Sequence, residues 1–576
     1  MEQMRWINRE LPTNPDIETL AKHLSAKTPF PLSLANILVQ RGYDTLDKVK
    51  ALFRPSQDDL HDPWLMKDMD LATVRIIEAV TQQEKIMLFG DYDVDGTTSV
   101  ALLKLFFQDW EVEVDYYIPD RYKEGYGLSE AGINHAKETG VSLVIAQDCG
   151  TKAVALVDMA REMGIDFIIV DHHRPGNKLP PAVAMLNPLQ DGCPYPCKVL
   201  SACGLTLKLI QALDEEFRTV IPESLPGSAY DPFRRYCDLV TLSIASDIVP
   251  IVDENRTIAA HGLAKLRTAP LPGIAALMAL SPNPRPWYIA DLVFFIGPRI
   301  NSAGRLRSGR AAVRLLLGDP EEREDFANAL QAYNTERQEL DREMTEEALE
   351  MIRQDPAGPS KASTVLHQKH WHKGVVGIVA SRVIEHYHRP TILLTQSDDR
   401  WVGSARSVPG FDVYQALLAC EEHIFQFGGH KYAAGLTVLD AEMESFKAAF
   451  ESEVKTRITA EQKMPELEIA YEVSFRDINA KFLRLLRNLA PFGPENPEPI
   501  FLAREVEVTD ARILKEKHVR FLLRQDGLVM EAIAFNLGPR WMETDGTLLH
   551  VAFQADFKTW KGVTSIQLQV KDFKTA

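Results

Sequence analysis

Positive charge, cysteine and long apolar runs are all scarce in this chain of 576 residues. It carries 64 Lys plus Arg against 81 Asp plus Glu, a formal net charge of −17. Nucleic-acid binders commonly show the opposite balance, so the sum speaks against such a partner unless a local patch differs in sign from the whole. Six cysteines are too few for a disulfide framework at this length and agree with a reducing compartment. No apolar run approaches the roughly 18–20 residues that a membrane span needs, and residues 1–15 lack a basic-then-apolar secretory pattern. A cytoplasmic protein without a membrane partner is therefore expected. Internal repeats and low-complexity tracts are missing too. What remains is 45% apolar and 25% charged, a globular composition sufficient for three or four domains of about 150 residues each.

From Lys85 to Asp247 short apolar runs alternate with helical patterns. Candidate strands are Ile86 to Phe89, Val112 to Ile118, Leu143 to Ala146 and Phe167 to Val170, with helices over Thr98 to Phe107 and Lys152 to Met163. This rhythm predicts an α/β fold with a parallel sheet covered on both faces. Ligands then belong outside the carboxyl ends of the strands. Asp319 to Asp355 instead has a helical period amid dense charge, 13 acidic and 4 basic residues for a net of −9. Pro356-Ala357-Gly358-Pro359-Ser360 after it reads as a linker. A second β/α segment spans about Ser363 to Lys455, and alternating stretches over about Glu466 to Lys574 suit a small antiparallel β-barrel or sandwich. The expected domains are thus 1–70, mostly helical; 71–318, the parallel-sheet domain; 319–360, a connecting helix and linker; 361–456, the second α/β domain; and 457–576, the barrel.

Asp91-Tyr92-Asp93-Val94-Asp95-Gly96 directly follows the first strand. An EF-hand loop opens with this spacing but needs a Glu at its twelfth position, which is Leu102 here, and a helix before it. A solvated Asp-rich turn remains as the alternative. Three mutually repelling carboxylates on one turn are most simply tolerated around a cation. Asp148 follows the third strand and Asp171-His172-His173 the fourth, again at carboxyl ends. Asp247, after an apolar helical stretch, offers another carboxylate, although Asp before a turn is common. Carboxylates mixed with imidazole favour Mn2+ or Mg2+ over structural zinc. Two such ions about 3.5–4 Å apart would activate water and stabilise charge on a phosphate, which is phosphoester hydrolysis.

These motifs, with Asp148-Cys149-Gly150, resemble the signatures of the DHH phosphoesterase superfamily, and within it the bacterial single-strand-specific 5′-to-3′ DNA exonucleases. The resemblance runs from about Leu60 to the carboxyl terminus. Its further segments are Pro119-Asp120-Arg121 through Gly125-Tyr126-Gly127, Gly297-Pro298-Arg299-Ile300-Asn301-Ser302-Ala303-Gly304-Arg305, Trp371-His372-Lys373-Gly374, Gly403-Ser404-Ala405-Arg406-Ser407, Phe427-Gly428-Gly429-His430 and Pro491-Phe492-Gly493-Pro494-Glu495-Asn496-Pro497. It implies a DHH catalytic domain, a DHH-associated domain joined by a long helix, and an OB-like barrel that tracks single strands. Asp93, Asp95, Asp148, His172 and Asp247 then correspond to metal ligands, with Asp148 bridging two ions and Asp91 auxiliary. His173 corresponds to the catalytic group at the scissile phosphate, supported by Asp148 and Asp171. Arg121, Ser404 and Arg406 correspond to residues that grip a 5′-terminal phosphate; Arg299, Asn301, Arg305, Gly428, Gly429 and His430 correspond to further substrate contacts. The implied partners are single-stranded DNA, a single-strand-binding protein and a RecQ-type helicase, and a monomer is expected.

Other readings stay open at this level. A phosphodiesterase for short RNA or cyclic dinucleotides, and a replication scaffold without catalysis, share the DHH core. The arginines at 299, 305, 307, 310 and 314 suit either a nucleic-acid track or a solvated helix face. Cys193 and Cys197 have no second close pair for zinc and read as free thiols. Phe482, Phe492 and Phe521 suit base stacking or core, with core favoured for two of the three.

Overall fold

The computed structural model describes residues 4–10, 15–27, 30–222, 226–227, 229–282, 286–318, 320–544 and 546–576. It divides into two units, one of Leu11–Asn334 with Lys481–Glu498, the other of Met1–Glu10, Thr335–Ala480 and Pro499–Ala576.

In the first unit five strands form an all-parallel sheet: β1 (Ile86–Gly90), β2 (Asp115–Tyr117), β3 (Leu143–Gln147), β4 (Asp166–Val170) and β5 (Ala184–Leu186), in the order β2-β1-β3-β4-β5. Alternate side chains supply two separate cores. Ile86, Leu88, Leu143, Ile145, Ile168 and Val170 pack on one face with helices α1 (Val94–Asp109), α2 (Ala202–Val220) and α3 (Pro232–Ser246). Met87, Phe89, Val144, Ala146, Phe167 and Ile169 pack on the other with helices Glu130–Thr139 and Val154–Glu162. Burial on both faces explains why the strands read as uninterrupted apolar runs. The order also creates a switch point between β1 and β3, because the chain runs from β1 outwards to β2 and then crosses back to β3 on the other side of β1. Farther along the chain come α4 (Gly297–Leu306) and the long α5 (Arg323–Gln354), which begins in this unit and ends in the other. The expected start of that helix, Asp319, lies outside the described residues.

The second unit holds a five-stranded mixed sheet of β6 (Thr364–Gln368), β7 (Thr391–Ser397), β8 (Arg400–Arg406), β9 (Gln426–His430) and β10 (Ala433–Leu439), ordered β9-β10-β8-β7-β6. Helix α6 (Val376–Tyr387) covers one face together with Met344, Ala348 and Ile352 of α5. It also holds a barrel of β11 (Phe501–Leu514), β12 (His518–Gln525), β13 (Leu528–Ala534), β14 (Leu548–Trp560) and β15 (Val563–Thr575). The β11–β14 pairing closes it, and β13 runs parallel to β15, so the expected antiparallel barrel contains one parallel pair. Phe482 and Phe521 are buried and Phe492 half-buried, so two of the three candidate aromatics are core.

Candidate metal centre

Three turns at the carboxyl end of the parallel sheet carry the predicted acids. Asp93 caps α1, its Oδ1 accepting the Gly96 N–H at 3.1 Å. A Cβ at position 96 would lie 2.5–2.8 Å from the Asp91 backbone, so only glycine lets the chain fold this tightly between Asp91 and Asp95. Asp148, at the end of β3, has φ of 60°, a conformation that L residues rarely adopt, and its N–H donates to the Val170 carbonyl at 3.0 Å. Asp171 and His172 follow β4, and Asp247 ends α3.

These residues meet in three overlapping groups: Asp91, Asp93 and Asp148; Asp95, His172 and Asp247; and Asp148, His172 and His173, with the candidate ligand atoms of each group within 4.8 Å of one another. His172 Nε2 lies 3.4 Å from Asp148 Oδ1, 3.6 Å from Asp247 Oδ2 and 3.7 Å from Asp95 Oδ2. Burial and mutual repulsion drive the carboxyls upward. Asp148 is pushed well above the usual range by desolvation and then by Asp93 and Asp95, Asp91 by desolvation and Asp93, and Asp247 to about 9 by desolvation and its acidic neighbours. Asp91 Oδ2 is buried without a hydrogen-bond partner. Fixed carboxylates that repel one another, an orphaned buried oxygen and an O/N donor set fit divalent Mn2+ or Mg2+.

Asp95 is held from behind. Its oxygens accept the N–H groups of Ala202 and Cys203 at 2.8 and 2.9 Å, from the N-terminus of α2, and the Ser243 hydroxyl at 2.6 Å. The Ser201 and Ser243 hydroxyls are themselves 2.6 Å apart. His173 is fixed on both sides: Nδ1 lies 2.7 Å from Asp171 Oδ1, and Nε2 lies 3.2 Å from the Tyr126 hydroxyl. Burial opposes the charge on His173, but the Asp171 hydrogen bond wins and raises its pKa. Against the same burial, His173 and Thr151 hold Asp171 below its usual range. The Asn187 amide donates to the His173 carbonyl at 2.8 Å. Tyr126 stands in the Gly125-Tyr126-Gly127 motif, and Asn187 directly follows the apolar triplet Ala184-Met185-Leu186, the signal that marks it in the sequence. Ser201 and Ser243 gave no local signal.

Other predicted residues are spread through both units. In the first, the Arg121 guanidinium lies 4.9 Å from the Tyr92 ring centre. Asn301 and Arg305 are half-buried on α4, and the Arg305 carbonyl accepts the Tyr122 hydroxyl. Arg299 is only 7% exposed; it donates to Gln331 at 2.8 Å and to the Phe295 carbonyl, and lies on the Phe295 ring. In the second unit, Arg406 donates to the Ser404 hydroxyl at 2.5 Å, and a Cβ on Gly377, at the start of α6, would lie 2.7 Å from the Arg406 guanidinium. A helix start, a hydroxyl and a guanidinium thus converge. Gly428, Gly429 and His430 lie exposed on the edge strand β9, where φ of 154° at Gly429 and the adjacent Ala433 carbonyl leave no room for a side chain. All six cysteines are free.

The chain matches three family models: "DHH family, N-terminal domain" over residues 85–242, "DHHA1 domain" over 360–456 and "RecJ OB domain" over 469–572. It is 34% identical to the single-stranded-DNA-specific exonuclease RecJ of Bacillus subtilis, covering 99% of this chain and 71% of that protein. It is 32% identical to the RecJ of Dickeya dadantii, over 96% of this chain and 99% of the other. Among solved structures, RecJ of Thermus thermophilus in complex with Mn2+ superposes with a TM-score of 0.84 at 26% identity, over 99% of this chain and 80% of that one.

Proposed function

The chain belongs to the RecJ family of DHH phosphoesterases, and on that premise we propose the part that each of its residues takes in the reaction. The protein is a metal-dependent exonuclease specific for single-stranded DNA, a hydrolase of phosphodiester bonds whose cofactor is Mn2+ or Mg2+. Asp93, Asp95, Asp148, His172 and Asp247, with Asp91 beside Asp93 and Asp148, are the residues that would hold two ions. When bound, such a pair supplies Lewis acidity for the attacking water and for the charge that develops on phosphate. The Asp95 carboxylate is fixed by the N–H groups of Ala202 and Cys203 and by the Ser243 hydroxyl, and the main chain of Asp148 by its N–H bond to Val170. His173, raised in pKa and held at Nδ1 by Asp171, carries a proton at Nε2, which exchanges its contact with the Tyr126 hydroxyl for the scissile phosphate or the leaving oxygen when substrate binds. Asp171 keeps that proton on the ring.

The observation that carries this reading is the sharing of Asp148 and His172 among three ligand groups at the switch point of the sheet. In the second unit Ser404 and Arg406 offer charge-assisted hydrogen bonds to a 5′-terminal phosphate, and in the first unit Arg121 offers the same chemistry, which supports attack from the 5′ end with release of mononucleotides. Gly428, Gly429 and His430 line an exposed strand that a nucleotide backbone can approach closely, and Asn301 and Arg305 are further contacts. Arg299, turned inward on Phe295 and Gln331, acts by positioning α4. The domain division 71–318, 361–456 and 457–576, a cytoplasmic monomer acting in repair and recombination, and cooperation with single-strand-binding protein and a RecQ-type helicase complete the proposal. With Mn2+, the purified protein is expected to shorten 5′-phosphorylated single strands from that end and to leave duplexes intact. Cleavage confined to short RNA or cyclic dinucleotides, or binding without cleavage, would overturn it.

A further inference from the structure

The Pro491 to Pro497 segment belongs in sequence to the approach to the barrel, yet residues 481–498 form part of the first unit. They reach the turn that follows the ligand Asp247. The Ile251 N–H donates to the Pro494 carbonyl at 2.9 Å. Gly493 is so close that a Cβ on it would lie 2.5 Å from Ile251 Cγ1. Within the segment, the buried Asn496 amide donates to the carbonyls of Leu489 and Pro491 at 2.9 and 2.8 Å, and its oxygen accepts Arg41 at 2.6 Å. From the helix that follows the turn, Arg256, 4% exposed, donates to the carbonyls of Asn488 and Ala490 at 3.3 and 2.9 Å.

The turn itself needs such a brace. Ile248, next to Asp247, has φ of 59° and is 62% exposed, so a β-branched residue sits in the left-handed region with little packing of its own to hold it there. We propose that the 489–497 segment is a positioning element of the metal centre: by fixing Ile251 through Gly493 and Pro494, with Asn496 as its internal brace, it holds the strained turn and so aims Asp247 at its ion. The inference rests on the reading of Asp247 as a ligand.

The test is Mn2+ binding to the full-length chain, followed by calorimetry and by the electron-paramagnetic signal of coupled Mn2+ pairs, neither of which needs turnover. Gly493→Ala drives a methyl group into Ile251, and Asn496→Ala removes the brace without adding an atom at that contact. Each is expected to weaken one of two ions, on the order of 10–100-fold as supporting residues of metal ligands do, to abolish the coupled signal and to leave the other ion in place. Combining Gly493→Ala with Ile251→Ala, which removes the colliding Cγ1, is expected to restore most of the lost affinity. Asp247→Ala should lose the same ion; if it binds both ions like the parent, the ligand reading itself fails. If Asp247→Ala loses an ion while both folded segment variants keep two at the parent affinity, the positioning role is overturned. It is overturned equally if neither variant folds, or if the double variant stays as weak as Gly493→Ala.

Discussion

Asp148 and His173 stand 3.9 Å apart and yet are shaped for different tasks. The carboxyl of Asp148 is fully enclosed, shared by two ligand groups and set on a left-handed backbone at the end of β3. The imidazole of His173 is more open and has both ring nitrogens engaged, by Asp171 and Tyr126. Asp148→Ala should therefore remove metal binding and activity together. His173→Ala should keep both ions while kcat falls by about 10²–10⁴-fold, the usual worth of a positioned proton donor. Calorimetric Mn2+ titration beside steady-state hydrolysis of a single strand separates the two results, and loss of metal binding in His173→Ala would place that residue among the ligands. The acids were legible in the sequence because the turns that carry them come at the ends of apolar runs. The inward turn of Arg299 was not, since an arginine every few residues on an amphipathic helix reads the same whether it faces water or Phe295.

Elements matter here through their ends. Two helix N-termini serve the centre: Asp93 caps α1, and α2 points the N–H groups of Ala202 and Cys203 at Asp95, where the positive end of the helix favours a carboxylate. Ser243 adds the third hydrogen bond from α3. Removing it leaves Asp95 Oδ1 one donor short in a buried position, a loss of about 1–3 kcal/mol. Ser243→Ala should weaken Mn2+ binding by roughly 10–100-fold with an unchanged far-ultraviolet circular dichroism spectrum, whereas Ser243→Thr, which keeps the hydroxyl, should recover part of the affinity. The strands β1, β3 and β4 were readable because parallel strands buried on both faces are continuous apolar runs. β5 escaped notice because three residues are too few to display a period. Ser243 meets Asp95 across 148 positions of sequence and Ile251 meets Pro494 across 243, and no local pattern encodes such pairings.

For the molecule as a whole, the charge of −17 divides unevenly, because the stretch from Asp319 to Asp355 alone contributes −9. Among the remaining acids, Asp91, Asp93, Asp95, Asp148 and Asp247 form the cluster that a cation would neutralise. That cluster makes overall stability depend on metal and pH together. Asp247, with an ordinary unfolded pKa of about 3.9 and a folded value of about 9, contributes stability that is complete below the unfolded value and is lost as pH rises through the folded one. Asp91 and Asp148, also raised, act in the same direction. Asp171, held low by His173, works the opposite way, its contribution being present above about pH 4 and lost in acid. Metal-free protein should therefore melt at progressively lower temperature between about pH 5 and pH 9, while saturating Mn2+, which binds the ionised carboxylates of the folded state only, should raise Tm most at the alkaline end and flatten the slope. Thermal unfolding followed across that range, once with a chelator and once with Mn2+, checks this. A metal-free Tm independent of pH would mean that the carboxylates are not forced together before the ions arrive.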